Sequence, residues 1–295
     1  MIEMPAIAPP TTEALRLLRP IDLLAPWAEE AAARHRAYRD GTPRGPATGL
    51  PSLDDELGGA LAPGPHIVLG QPGVGKSALV GQVAATCGAP ALLLTCEMGP
   101  LEVLLRQTAR VTGTHLRVLK SGELAPSAAV ALARKAVKAT PLLAVADGTL
   151  AWPYSDWLRD AAEVVRGDSE RFLLVVDSLH AWADRGPGDA PEYERICAAV
   201  EGLRSLAASL GCPVLAVAER NRASMRDGGL SAGAGSRKLE YCAESVWDLH
   251  RDADAVPDAA GEVPVTLVLA KNRGGAAGRK IGLRFHGALQ RFREA

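Results

Sequence analysis

Short apolar runs recur along this chain from Thr48 onward, each followed by a longer amphipathic stretch. Residues 66–69, 91–95, 142–146, 172–176, 214–218 and 265–269 are apolar at nearly every position rather than at alternate ones. That pattern predicts strands buried on both faces, as in a largely parallel sheet. Between them, residues 77–87, 101–111, 127–139 and 192–209 read as helices, which gives the strand–helix alternation of an α/β domain. The expected fold is a largely parallel central sheet flanked by helices, about 240 residues long and one domain by size. Two segments, Gly186-Pro187-Gly188-Asp189 and the Gly/Ala/Ser-rich residues 223–235, carry loop chemistry.

Residues 1–46 break the pattern. Pro5, Pro9, Pro10, Pro20, Pro26, Pro43 and Pro46 punctuate them, so we divide the chain into an arm, 1–46, and a domain, 47–295. Residues 27–39 read as a helix with Trp27, Ala31 and Tyr38 along one side, and Arg34 within the stripe. Alone such a helix buries too little to be stable. It is expected to dock either on its own domain or on a neighbouring subunit.

Composition narrows the class. The chain is 47% hydrophobic and 23% charged, which supports a soluble globular core, and with 4% aromatics that core must be built mainly from Ala, Leu and Val. A net charge of −1 argues against a grossly basic nucleic-acid binder and leaves room for a local basic groove. Cys87, Cys96, Cys197, Cys212 and Cys242 are scattered and odd in number, which suits reduced, buried thiols in the cytoplasm rather than disulfides or zinc. The start lacks a signal-peptide pattern, and no apolar run reaches the roughly 18 residues of a membrane span.

The stretch Gly70-Gln71-Pro72-Gly73-Val74-Gly75-Lys76-Ser77 fits the phosphate-binding loop G-x-x-x-x-G-K-[ST] and sits between a predicted strand and a predicted helix. Its glycines let successive N–H groups turn toward an anion, and the helix N-terminus that follows, through Ala78, adds partial positive charge. Lys76 brings a mobile cation to the β- and γ-phosphates, and the Ser77 hydroxyl is placed to ligate Mg²⁺. ATP with Mg²⁺ is the expected ligand.

Four further features bear on what happens to the nucleotide. The apolar strand at 172–176 ends in Asp177, placed to support the Mg²⁺ shell. Glu97 ends the strand after the loop helix, where a carboxylate can orient and deprotonate water; a helix N-terminal Glu is the equal alternative. Lys271-Asn272-Arg273-Gly274-Gly275 suits a γ-phosphate clamp, in cis or reaching into a neighbour's site, or else a solvated hairpin turn. Residues 219–240 carry Arg220, Arg222, Arg226, Arg237 and Lys238 against Glu219, Asp227 and Glu240, five minus three, net +2. Such a loop can track a phosphate backbone through Arg222, Arg226 and Arg237, or be merely solvated. No aromatic lies between Arg220 and Lys238 to stack on bases.

In order, Thr48-Gly49-Leu50-Pro51-Ser52-Leu53-Asp54, the phosphate loop, Cys96-Glu97-Met98, Ser121-Gly122-Glu123-Leu124, Ala146-Asp147-Gly148-Thr149, Val176-Asp177-Ser178, Arg220-Asn221-Arg222, Leu239-Glu240 and Lys271-Asn272-Arg273-Gly274-Gly275 resemble the RecA-fold ATPase domain of the DnaB replicative helicases. Residues 234–240 and the Lys-Asn-Arg triplet are also similar to RadA. The resemblance spans residues 48–292. It implies a ring-forming ATPase motor, usually a hexamer, acting on single-stranded DNA in replication or repair, with a possible loader or replication partner protein. It implies Glu97 as catalytic base, Asp177 as metal support, and Lys271 with Arg273 as the pair reaching the neighbour's γ-phosphate. It places the 27–39 helix where the family has a linker helix that docks on the adjacent subunit. Residues 1–46 are not expected to form the N-terminal helical domain of that family. Glu219 stands where the resemblance predicts a γ-phosphate-sensing Gln, and the DNA loop lacks the expected Asp-Leu-Arg after Leu230-Ser231. These departures leave a second reading, a KaiC-like regulatory or scaffold ATPase whose nucleotide state controls assembly with a protein partner.

Overall fold

A computed structural model describes residues 18–150, 155–186, 190–219, 241–252 and 254–295. They fall into two units that divide between Arg44 and Gly45.

The first unit is a short 3-10 turn, Pro20–Leu23, running into α1, Leu24–Arg39. Glu30 accepts bonds from Arg44 and Arg34, and the Arg44 guanidinium in particular draws its carboxyl down to about 2. No residue of α1 is buried, and Trp27 and Tyr38 are 65% and 87% exposed.

The second unit is built on one sheet with strands β1 (Gly64–Gly70), β2 (Ala91–Thr95), β3 (Leu143–Asp147), β4 (Leu173–Asp177), β5 (Pro213–Val217), β6 (Ser245–His250), β7 (Val263–Asn272), β8 (Arg279–His286) and β9 (Arg291–Glu294). Their order is β3-β2-β4-β5-β1-β6-β7-β8-β9. The first six are parallel, and β7 to β9 add an antiparallel meander. In β2, β4 and β5 every residue is buried, which is why their sequences are continuously apolar. The outer strand β3 is only partly covered.

Each face of the sheet carries its own core. On one lie α2 (Pro51–Glu56), α3 (Lys76–Thr86) and α4 (Pro100–Thr112), which pack Leu53, Leu79, Val83 and Val103 with Val68, Trp247 and Phe285. On the other lie α7 (Ser155–Arg166), α8 (Leu179–Asp184) and α9 (Glu192–Leu210), which pack Leu158, Trp182 and Leu203 with Ile67, Val176 and Val246. The remaining helices, α5 (Leu116–Lys120) and α6 (Pro126–Ala139), flank α4 on the way to β3. Cys87, Cys96 and Cys212 are buried as expected, whereas Cys197 and Cys242 are only half-buried; all are free thiols.

The sequence pattern had not singled out β6. It carries polar residues at buried positions, and one of them, Ser245, is satisfied by a distant partner. His66 shares a 2.7 Å hydrogen bond with the Ser245 hydroxyl, and that oxygen also accepts from Trp247 Nε1–H at 2.8 Å. His66 Nε2–H donates to the Ala62 carbonyl at 2.8 Å, and burial pushes the imidazole pKa down, so the ring is neutral and the chain of bonds is complete.

Candidate nucleotide site

Parallel pairing brings the carboxyl ends of β1, β2, β4 and β5 to one edge of the sheet, the place where α/β domains bind ligands. The phosphate loop leaves β1 there. Gly75 has φ +105°, and a Cβ on it would lie 2.8 Å from Phe292 Cζ and 3.2 Å from Phe285 Cε1. Those rings stack at 4.4 Å, so the antiparallel end of the sheet forms the floor under the loop. Only glycine fits this turn, both for its backbone and for its contact.

From Gly75 the chain enters α3, whose first intrahelical bond runs from Leu79 N–H to the Gly75 carbonyl at 2.9 Å. The N–H groups of Lys76, Ser77 and Ala78 precede it and are left for an anion. Lys76 Nζ arches over the loop and donates to the carbonyls of Gly70 (2.8 Å) and Gln71 (3.2 Å). Burial lowers its pKa, while the charges of Glu219, Glu97 and Asp177 oppose that shift.

Ser77 donates its hydroxyl to Asp177 Oδ1 at 3.1 Å. Asp177 is 4% exposed, and burial, with the Glu97 charge adding to it, pushes its carboxyl up to about 6 against the Ser77 bond. Cys96 N–H donates to the Asp177 carbonyl at 2.7 Å, and the Ser178 hydroxyl donates to Glu97 Oε1. The Asp177–Ser178 peptide is cis. These bonds hold β2 and β4 together so that a buried carboxylate and an exposed one stand side by side. Glu97 lies outside α4, whose N-cap is Gly99, so it is not the helix-start glutamate of the alternative reading.

The donor set fits Mg²⁺ and a nucleoside triphosphate. Mg²⁺ typically takes one or two protein oxygens, with waters and phosphates completing its shell. Beside the loop opens a cavity of about 620 Å³ lined by His115, Arg251, Phe285 and His286. Arg251 Nη2 lies 4.0 Å from where a Gly73 Cβ would stand. Sequence reasoning missed this cavity. Arg251 directly follows β6, so recognising that strand would have placed it beside the loop.

Lys271 and Arg273 lie elsewhere. β7 runs antiparallel and extends through Asn272, so Lys271 pairs with Val246 and is level with Ile67, three residues short of Gly70 and two strands away. That is roughly 10 Å along the strands and roughly 10 Å across them. Lys271 Nζ donates to the Tyr241 carbonyl at 3.1 Å, and Arg273 pairs with Glu244 at 2.8 Å and donates to the Tyr241 carbonyl at 3.0 Å. Antiparallel register carries these cations toward the opposite end of the sheet from their own phosphate loop. The hairpin turn between β7 and β8 is present. The expected DNA contacts Arg222, Arg226 and Arg237 lie outside the described residues.

Comparison with known proteins shows the family and the fold. The family model "DnaB-like helicase C terminal domain" matches residues 45–294. The "Replicative DNA helicase DnaB" of Treponema pallidum is 28% identical over 255 residues, which cover 84% of this chain and 56% of that protein. The chain spans about half the length of the curated relatives it matches. Among solved structures, a DnaB-like replicative helicase studied for its interactions with primase superposes with a TM-score of 0.74 at 18% identity, covering 92% of this chain and 67% of that one. The KaiC-like protein PH0186 from Pyrococcus horikoshii reaches 0.58 at 15% identity over 86% of this chain and 99% of that one. These likenesses establish a RecA-like fold.

Proposed function

The chain belongs to the DnaB-like helicase C-terminal domain family, and on that premise we propose that it is the ATP-hydrolysing motor of a helicase or translocase acting on single-stranded DNA in replication or repair. The observation that carries this reading is the convergence of Lys76, Ser77, Asp177 and Glu97 at one sheet edge, with a buried acid beside an exposed one.

In this reading the loop N–H groups from Gly70 to Ala78 and the Lys76 ammonium hold the phosphates, and the base lodges in the cavity beside Arg251. Ser77 ligates Mg²⁺ and Asp177 supports its shell; the metal, when bound, neutralises charge on the phosphate oxygens. Glu97 is exposed, where water can reach it, and is held through Ser178. It orients that water and takes its proton. Lys271 and Arg273 cannot serve their own site, so they act in trans, at the γ-phosphate of a neighbouring copy in a hexameric ring. Arg222, Arg226 and Arg237 follow the DNA backbone by point charges. The arm helix docks on an adjacent subunit, and a loader or other replication protein completes the cytoplasmic assembly.

ATP hydrolysis by the purified protein, with and without single-stranded DNA at low and moderate salt, tests this. Stimulation that fades with salt, and is abolished by Lys76→Ala, is the expected result. Turnover indifferent to DNA would move the function to a nucleotide-controlled scaffold.

A further inference from the structure

β5 runs between β1 and β4, and so its carboxyl end opens between the phosphate loop and Asp177. Val217 pairs with Val68, and Ala218 N–H donates to the Val68 carbonyl at 2.9 Å, so the next residue, Glu219, emerges level with the loop. Its own N–H donates to His180 Nδ1 at 3.2 Å, which fixes the backbone against the start of α8 just past Ser178. Glu219 is exposed on this edge, within electrostatic reach of Lys76.

From this placement we propose that Glu219 is the residue that sets the preference of the site between triphosphate and diphosphate, by holding a fixed negative charge in the corner that a third phosphate must enter. The proposal rests on the nucleotide-site reading above. Three carboxylates then act on one ammonium. Asp177 is engaged by the Ser77 hydroxyl and Glu97 by the Ser178 hydroxyl, and both have tasks that need a negative charge. Glu219 has no such task, and it emerges level with the loop that carries Lys76. It therefore competes with phosphate for the same cation. A diphosphate stays within the loop's N–H groups and escapes most of this opposition. A triphosphate adds its charge next to Glu219. The site consequently retains product more firmly, relative to substrate, than the loop and lysine alone would dictate.

Titration of the full chain with Mg²⁺ and either ADP or a non-hydrolysable ATP analogue tests this, using the wild type, Glu219→Gln and Glu219→Ala. Both variants are expected to tighten the analogue by roughly tenfold, with ADP affinity nearly unchanged, and the gain should shrink as salt rises. ADP affinity doubles as the control for folding. Binding of both nucleotides with the analogue-to-ADP ratio unmoved, or moved toward ADP, would overturn the proposal alone. Failure of the wild type to bind either nucleotide would overturn the nucleotide-site reading and this proposal together.

Discussion

At the carboxyl end of the parallel strands the chain gathers Asp177, Glu97 and Glu219 around Lys76; toward the opposite end, at the β7–β8 turn, it presents Lys271 and Arg273. The first group is preorganised by short bonds between β2 and β4 and by burial of Asp177. The second is held more lightly, with Arg273 exposed and paired to Glu244 at the rim. The difference follows from strand direction. Parallel strands deliver all their carboxyl ends to one edge, whereas an antiparallel strand delivers its carboxyl end to the other. On the function proposed above, one copy builds the acidic half of the site, and in a closed ring the basic end of one copy would meet the acidic end of the next.

Arg273→Ala puts this contrast between the two ends under the greatest stress. On the trans reading it should lower ATP turnover by about 10³-fold while leaving ADP affinity nearly intact, since Arg273 is remote from its own loop. Turnover and ADP titration on the same preparation would check it; loss of ADP binding would mean that the change had reached the acidic end.

Gly75→Ala probes the structural side, because this is where the antiparallel half supports the parallel one. The new methyl group would meet Phe292 at 2.8 Å in a left-handed turn. We expect about 2–4 kcal/mol of lost stability by denaturant unfolding, with loss of nucleotide binding.

The acidic end should also respond to pH. With the Asp177 carboxyl raised to about 6, its protonated form dominates below that pH and withdraws from the metal shell. Mg²⁺–nucleotide affinity should therefore fall as pH drops through about 6 and level off above it, and Asp177→Asn should flatten the step. The linkage for folding has the opposite sense. A raised carboxyl pKa contributes stability at low pH that is lost as pH rises through about 6.

A smaller change is expected at the seam between β1 and β6. Ser245→Ala would leave Trp247 Nε1–H unmatched and His66 Nδ1 without its donor, at a cost of about 1–3 kcal/mol in stability, while nucleotide affinity changes little. Thermal unfolding beside ADP titration would separate the two.

How much of this could be read from the chain depended on which partners were local. The parallel strands were legible because both of their faces are buried, as at 172–176, and the phosphate loop because its chemistry is contiguous. Asp177 was legible as a strand end, whereas Glu97 falls two residues past β2 rather than at its end, and the bonds that bring the two together, through Cys96 and Ser178, were not legible. β6 was obscured because Ser245 is satisfied by His66, 179 residues away. The cavity at Arg251 was obscured with it. In α7, Leu158 and Ala162 fall one helical turn apart, and in β8, Ile281, Leu283 and Phe285 alternate, so both carried a readable period beneath their charged residues. The end of the sheet on which Lys271 and Arg273 fall could not be read at all, because it depends on the register and direction of β7.

If a working site takes its acidic half from one copy and its basic half from another, two differently broken copies should repair each other. The experiment is ATP turnover by an equimolar mixture of Lys76→Ala and Arg273→Ala protein, allowed to exchange subunits. Each variant alone should be nearly inactive. Mixed, about a quarter of the interfaces would pair an intact loop with an intact arginine, and turnover should return in proportion. A mixture as inactive as its parents, with subunit exchange verified, would contradict the division of the site between copies.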